Sequence, residues 1–148
     1  MPSYTAPVKD FQFVLHDLLQ VEKLSNQLGF TDASRDVIDA VLEEGGKFMS
    51  EVLAPLNQVG DKHGCKWDNG VVTTPPGFKE AYQQYCEAGW GGLTAETKYG
   101  GQGLPHVLGI AMAEIQSAAN MALAMYPGLT HGAYEALLRH GSEEQKDM

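Results

Sequence analysis

The stretch that decides the fold is AGWGGLTAETKYGGQGLP, residues 88–105. Six of the fifteen residues from 89 to 103 are glycine, and this composition favours neither a helix nor a strand. Long irregular loops are uncommon inside compact chains, and those that occur usually serve a function. The stretch therefore predicts a functional or closely packed loop, and the segments on either side of it read as helices.

Before the loop, apolar residues recur at the spacing of amphipathic helices. One stripe occupies residues 11–19, and a second extends over residues 37–56 across a Gly-Gly pair and Pro55. Because the second stripe resumes after each interruption, we predict one bent helix that begins near Asp32 or Ser34, which are both good N-caps.

Between this bent helix and the loop, a turn precedes a further helix. Asp68-Asn69-Gly70 is typical of a tight turn, and short β-favouring segments flank it. We therefore predict one short β-hairpin around residues 66–73. A third helical stripe at residues 78–86 follows two prolines and ends at Gly89.

After the loop, the sequence predicts two more helices. The first covers residues 107–125, is apolar around most of its circumference and ends at Pro127-Gly128. The second begins near Thr130 and ends at Gly141. Together these patterns predict an all-α helical bundle, preceded by an extended arm at residues 1–9.

Composition excludes several classes of partner. The 148 residues carry a formal net charge of −9, and no cluster of Lys and Arg is present to neutralise phosphates, so we expect neither nucleic acid nor an anionic membrane as a partner. Polar residues interrupt the apolar region at residues 109–125, which argues against a bilayer span. The two cysteines form no CxxC pair and no secretory signal is visible, which favours the cytoplasm.

Individual candidate groups each have a structural and a chemical interpretation. The loop is a structural turn or a phosphate cradle, although G-x-G-x-x-G fails at His106. Cys65 and Cys86 are buried structural thiols or nucleophiles, and Glu114 is a polar-face residue or a desolvated acid. Core packing and an apolar pocket remain open for three methionines of the fourth helix, Met112, Met121 and Met125. The five histidines show no metal-ligand spacing, so we expect no metal.

The last seven residues begin with a helix start. Ser142-Glu143-Glu144-Gln145 matches the capping box, in which the serine and glutamine side chains bond reciprocally to the backbone. Seven residues are too few for an independent helix. We therefore expect the sequence to be part of a longer polypeptide.

The glycine-rich stretch and the capping box together resemble the acyl-CoA dehydrogenase N-terminal domain. That family reads G-(aromatic or Leu)-x-G-L-T-x-P-E-x-Y-G-G-x-G, and the end of the chain, from Gly141 to Lys146, resembles its G-[ST]-x-E-Q-K motif. Glu96 departs from the family at a position where many members carry Pro. The N-terminal helix resembles the longer bacterial branch, which includes methylmercaptopropionyl-CoA dehydrogenases.

This resemblance implies a domain organisation and a reaction. Residues 10–148 are expected to be the N-terminal helical domain of an oxidoreductase, cut before a middle β domain. The whole enzyme would desaturate acyl-CoA thioesters between the α and β carbons and pass electrons to an electron-transfer flavoprotein, as a homodimer or homotetramer. FAD and the catalytic glutamate would belong to the later domains. We therefore expect no catalytic residue, no cofactor and no activity in this chain itself, and Glu114 matches a helix position that is not the base.

The resemblance also implies candidate substrate-binding residues. In the family, the N-terminal domain forms one wall of the acyl-chain slot and shields the flavin from water. Alignment without gaps from the capping-box motif carries this role to Ala124, Met125, Gly128, Leu129 and Gly132. An ordinary helix–turn–helix with a glycine C-cap explains the same residues. A stand-alone helical interaction module is the alternative function.

Overall fold

The computed structural model describes residues 4–30 and 32–148, and the first three residues of the predicted arm lie outside this range. The prediction of an all-α bundle with one hairpin is confirmed. The α-helices within these residues are α1 (Val8–Gln12), α2 (Val21–Gln27), α3 (Arg35–Phe48), α4 (Ala54–His63), α5 (Phe78–Glu87), α6 (His106–His140) and α7 (Glu143–Asp147), and a π-helical segment at Phe13–Leu18 continues α1. The two strands are β1 (Lys66–Asp68) and β2 (Val71–Thr73).

The bent helix predicted from the second stripe is present as α3 and α4. Ser34 caps α3 by accepting a hydrogen bond from the Val37 N–H, as its residue type predicts. A π-helical turn at Met49–Leu53 then joins α3 to α4, which carries Pro55 in its first turn. Proline has no N–H for the helical ladder, so a widened turn immediately before it keeps the chain helical while changing its register.

The hairpin around residues 66–73 is also confirmed. β1 and β2 pair antiparallel, with Trp67 opposite Val72. Asn69 and Gly70 between the strands both have positive φ, of 48° and 85°. Two successive positive φ angles are the requirement of the tight hairpin turn that an Asn-Gly pair favours.

The predicted boundary between the fourth and fifth helices is wrong. Pro127 lies inside α6, and the helix is instead broken at Asn120, whose φ of −159° and ψ of 94° are not helical. The Asn120 Oδ1 accepts a hydrogen bond from the Leu123 N–H at 3.1 Å, and its Nδ2 donates one to the Leu53 carbonyl at 3.1 Å. Asn120 therefore acts as the N-cap of a new helical segment, and this buried tie to the π-helical turn decides where the break falls.

The core lies between α3, the π-helical turn at Met49–Leu53 and the first half of α6. Its fully buried apolar side chains include Ile38, Leu42, Met49, Leu53, Leu108 and Ile115. By length and composition α6 alone among the described helices is long and apolar enough to cross a membrane. The buried apolar residues of its first half pack in the core against α3, and α6 is broken at Asn120.

The N-terminal segment is tied to this core by polar contacts. Its helix begins at Val8, so residues 8 and 9 of the predicted arm are helical. The Tyr4 hydroxyl donates to the Ile115 carbonyl, and the Ala6 N–H donates to Ser50 Oγ at 3.1 Å.

A buried histidine adds a second tie between this segment and the core. The His16 side chain has no exposed area, and its two ring nitrogens lie 2.5 Å from Glu22 Oε1 and 2.8 Å from Asp39 Oδ1. These two carboxylates belong to α2 and α3, so the histidine joins the N-terminal helices to the bent helix.

Candidate functional site

The two halves of α6 fold back on each other and leave a groove between them. His106 and His131 are 25 positions apart, which would place them about 37 Å apart on a straight helix. Their ring centroids are instead 6.1 Å apart. Because the break at Asn120 reverses the chain, residues 106–119 and 121–140 run alongside one another.

The groove is open along one side and encloses mostly apolar surface. It holds about 710 Å³ of empty space, including the part open to solvent, and the glycine-rich loop and α5 complete its walls. The loop contributes Trp90, Leu93 and Thr94, and α5 contributes Tyr85. Apolar grooves with a few polar groups are the usual form of small-molecule sites.

The structure divides the five predicted substrate-binding residues into two groups. Ala124 and Gly128 line the groove. Met125 and Leu129 lie on the neighbouring outer face of the same helix, with 63% and 79% of their surfaces exposed, and Gly132 has open space around its Cα. The groove therefore brings together two of the five residues, and the binding role of all five stays a prediction.

The three methionines of α6 also separate. Met112 is buried and lines the groove, whereas Met121 and Met125 are exposed on the outer face. The pocket interpretation therefore applies to Met112, whose side chain also packs above Gly45 of α3, where an added Cβ would collide with it.

The glycine-rich loop uses its own backbone donors and does not form a phosphate cradle. The N–H groups of residues 101–104 donate to carbonyls of Glu96, Gly92, Ala95 and Leu93, at distances of 2.9–3.1 Å. At Gly101, an added Cβ would collide with the Ala95 carbonyl, so the close approach that glycine permits is made to the chain itself. The N–H groups of residues 101–104 are therefore not free to bind the phosphates of FAD.

The other candidate reactive groups lie outside the groove. Glu114 is exposed on α6, which agrees with the polar-face interpretation. Burial, with a smaller contribution from the Glu114 charge, raises the pKa of Tyr4 above its ordinary value. Cys65 and Cys86 are both free and exposed, so the interpretation of them as buried structural thiols is wrong. No group of three metal-ligating side chains occurs among the described residues.

Three features of the groove were not identified from the sequence. Gln116, which is only 7% exposed, lines it on the first half of α6. The His106 and His131 rings stack at one end, and His131 also stacks on Tyr134, whose hydroxyl accepts a hydrogen bond from the Glu96 N–H at 2.9 Å. The signal for Gln116 was present, since it is a polar residue four positions from Met112 on the buried face of the helix.

Tyr85 supplies the third feature, a phenol in the wall of the groove. Burial raises its pKa to about 12, with smaller contributions from Cys86 and Tyr82. Its ring stacks on Tyr82 with centroids 6.2 Å apart. The phenol is therefore a neutral wall residue at physiological pH and does not serve as a base.

Comparison with known proteins agrees with the family resemblance of the glycine-rich stretch and the capping box. The family model described as "Acyl-CoA dehydrogenase, N-terminal domain" matches residues 36–148. The chain is 40% identical over 144 residues to 3-methylmercaptopropionyl-CoA dehydrogenase of Ruegeria pomeroyi, covering 97% of the chain and 24% of that protein. It is 34% identical to butyryl-CoA dehydrogenase of Syntrophomonas wolfei, covering 98% of the chain and 24% of the relative.

A third relative, the broad-specificity linear acyl-CoA dehydrogenase FadE5 of Mycobacterium tuberculosis, is 30% identical and is covered over 24% of its length by 99% of the chain. The chain thus spans about a quarter of the length of these curated relatives. These relatives are oxidoreductases of one class, and the matched region includes α6 and the glycine-rich loop. The chain therefore belongs to the acyl-CoA dehydrogenase N-terminal domain family.

Proposed function

We propose that this chain is the N-terminal domain of an FAD-dependent acyl-CoA dehydrogenase and that it forms one wall of the acyl-chain slot. The observation that carries the proposal is the mostly apolar groove between the halves of α6, which Ala124 and Gly128 line. An alkyl chain in this groove would lose its contact with water against Trp90, Leu93 and Met112, which favours binding.

The complete protein would desaturate acyl-CoA thioesters and pass electrons to an electron-transfer flavoprotein. We propose that it works in the cytoplasm as a homodimer or homotetramer, without a nucleic-acid or membrane partner. The residues of this chain bind the acyl chain and exclude water, and the catalytic base and the flavin site belong to other domains. Stoichiometric binding of FAD to the 148-residue chain would contradict this division of roles.

A pair of glycine substitutions tests the proposed slot. An added Cβ at Gly128 or at Gly132 meets nothing within 4 Å, so a side chain can begin at either position without a clash. Only Gly128 lines the groove. In the complete protein, Gly128→Leu should therefore lower kcat/KM for long-chain acyl-CoA by about tenfold relative to short-chain acyl-CoA, measured over a series of chain lengths.

Gly132→Leu is the matched control and should leave the chain-length profile unchanged. Equal profiles for wild-type protein and Gly128→Leu would show that this groove is not the acyl slot. A changed profile in Gly132→Leu alone would place the slot on the outer face of α6.

A stand-alone interaction module is the second candidate function. The exposed apolar side chains on the outer face of α6 favour it, namely Met121, Met125 and Leu129. The reading frame downstream of Met148 distinguishes the two functions. A middle domain followed by a helical C-terminal domain supports the enzyme, and a stop codon supports the module.

A further inference from the structure

The second half of α6 is held by few contacts within this chain. Beside the break, Tyr126 packs edge to face against Tyr82 of α5, with ring centroids 5.8 Å apart. Beyond Leu123, none of the residues from 124 to 140 is buried. No packed core therefore fixes the far end of this half, and its position depends on the individual contacts that its last turns make.

At the far end, one hydrogen bond ties this half of α6 to the glycine-rich loop. The Tyr134 hydroxyl accepts it from the Glu96 N–H at 2.9 Å. Among the described residues, no other hydrogen bond joins residues 89–104 to this half. A second contact at the far end is the stack of His131 on His106, which belongs to the first half of α6. The bond is therefore the direct polar link between the loop and the second half.

This hydrogen bond connects two walls of the groove. His131 and Tyr134 are three positions apart on α6, so they lie on one face of the helix, and His131 lines the groove. On the loop, Thr94 lines the groove two residues before Glu96. Thr94 also packs on the first half of α6, since its Cγ2 would lie 2.7 Å from a Cβ added to Gly109. The loop is thus fixed against the first half, and the bond sets how far the second half stands from it.

The donor of this bond can be removed without a large change in the path of the loop. Glu96 has a φ of −61° and a ψ of 139°, angles that a proline adopts. A proline at this position has no N–H and cannot bond to Tyr134, whereas an alanine keeps the N–H and loses only the carboxylate. Substitutions at residue 96 therefore separate the backbone donor from the side chain.

We propose, on the basis of the slot function above, that Tyr134 is a positioning residue that sets the width of the groove through the Glu96 N–H and thereby limits the bulk of the acyl chain. With the bond in place, the second half of α6 stands close to the loop and the groove admits a straight chain. Without it, this half pivots about the break at Asn120 and the groove widens. A methyl branch needs the extra width, so the closed groove discriminates against branched chains.

The test compares octanoyl-CoA with analogues of equal main-chain length that carry one methyl branch at each of four distal positions in turn. In the complete wild-type enzyme, the least tolerated branch should lower kcat/KM by about tenfold relative to octanoyl-CoA. Tyr134→Phe and Glu96→Pro should each reduce this discrimination by about fivefold, the equivalent of one neutral hydrogen bond. In the Tyr134→Phe background, Glu96→Pro should add less than about twofold, because both substitutions remove the same bond.

Two variants serve as matched controls. Glu96→Ala keeps the N–H and should keep the wild-type discrimination. Tyr126→Phe removes a hydroxyl from the same half of α6 and should also keep it. Loss of discrimination in Glu96→Ala would assign the effect to the carboxylate and would overturn the role of the Tyr134 bond.

Amide hydrogen exchange of the complete protein supplies a readout without activity. In Tyr134→Phe, the Glu96 N–H loses its acceptor and the far end of α6 loses its tie to the loop. Exchange in the peptides that cover Glu96 and residues 124–140 should therefore be about fivefold faster than in the wild-type protein. Tyr126→Phe should exchange at the wild-type rate in both peptides.

The outcomes separate the two proposals. Wild-type discrimination in both Tyr134→Phe and Glu96→Pro, or a wild-type enzyme that accepts every branch as well as the straight chain, overturns the role of Tyr134 while Gly128→Leu still reports on the slot. Faster exchange in Tyr134→Phe, with substrate profiles unchanged in it and in Gly128→Leu, overturns the slot function and with it the specificity role of Tyr134.

Discussion

At the scale of single residues, Gly101 holds the glycine-rich loop closed because it has no side chain. Its φ is not in the left-handed region, so space rather than conformation requires glycine there. An added methyl group would collide with the carbonyl of Ala95, a backbone atom that cannot move aside without breaking the loop's hydrogen bonds. We expect Gly101→Ala to lower the free energy of unfolding by about 3 kcal/mol, measured by urea denaturation.

Gly91→Ala, in the same loop, is the control for this prediction. Its Cβ would make an ordinary contact of 3.6 Å with the Tyr85 ring, so the change in stability should stay within about 0.5 kcal/mol. If the two alanine variants were equally stable, close packing at Gly101 would not be what orders the loop.

At the scale of elements, the reversal of α6 depends on Asn120. This residue is 1% exposed, caps the second half of α6 and bonds to Leu53 on the π-helical turn. Asn120→Ala removes the cap and leaves a buried N–H and a buried carbonyl unpaired. We therefore expect a loss of about 2–4 kcal/mol in the free energy of unfolding.

The exposed Asn57 on α4 provides the comparison, and Asn57→Ala should change stability by less than about 0.5 kcal/mol. Denaturation curves of the two variants, recorded by circular dichroism, check the prediction. An Asn120→Ala variant as stable as the wild-type protein would show that the break in α6 has another cause.

At the scale of the whole molecule, burial of Tyr85 makes stability fall at high pH. Its pKa is raised from 10.0 to about 12 in the folded chain, so the folded state keeps a proton that the unfolded state loses. The contribution of Tyr85 to the free energy of unfolding is therefore fully present below pH 10 and is lost as the pH rises towards 12. We expect Tyr85→Phe to reduce this fall by about 2 kcal/mol, measured by urea denaturation across that range.

Part of the fall should remain in Tyr85→Phe, because burial also raises the pKa values of Tyr4 and Tyr82. Tyr126→Phe, at a residue 36% exposed, should keep the wild-type decline. An unchanged decline in Tyr85→Phe would assign the high-pH sensitivity to other groups.

The sequence by itself determined the features that depend on neighbouring residues. Helical stripes, the Ser34 N-cap, the Asn69-Gly70 turn and the capping box at Ser142 all follow from residues within a few positions of one another, and all are present. The motifs in the glycine-rich stretch and the capping box also indicated the family, because its residue types are spaced along a contiguous segment. Each of these patterns depends on interactions between residues that are near one another in the sequence, so periodicity and turn-forming residue types are enough to predict it.

Only the tertiary structure decided where α6 reverses and which side chains meet in the groove. Pro127-Gly128 is the stronger local signal for a helix end, yet the chain breaks at Asn120 because its amide bonds to Leu53, 67 positions away. That contact sets which face of the second half turns inward, and it separates Ala124 and Gly128 from Met125, Leu129 and Gly132. A helical stripe specifies a buried face but not the partner it packs against, so the groove appears only once the two halves are placed together.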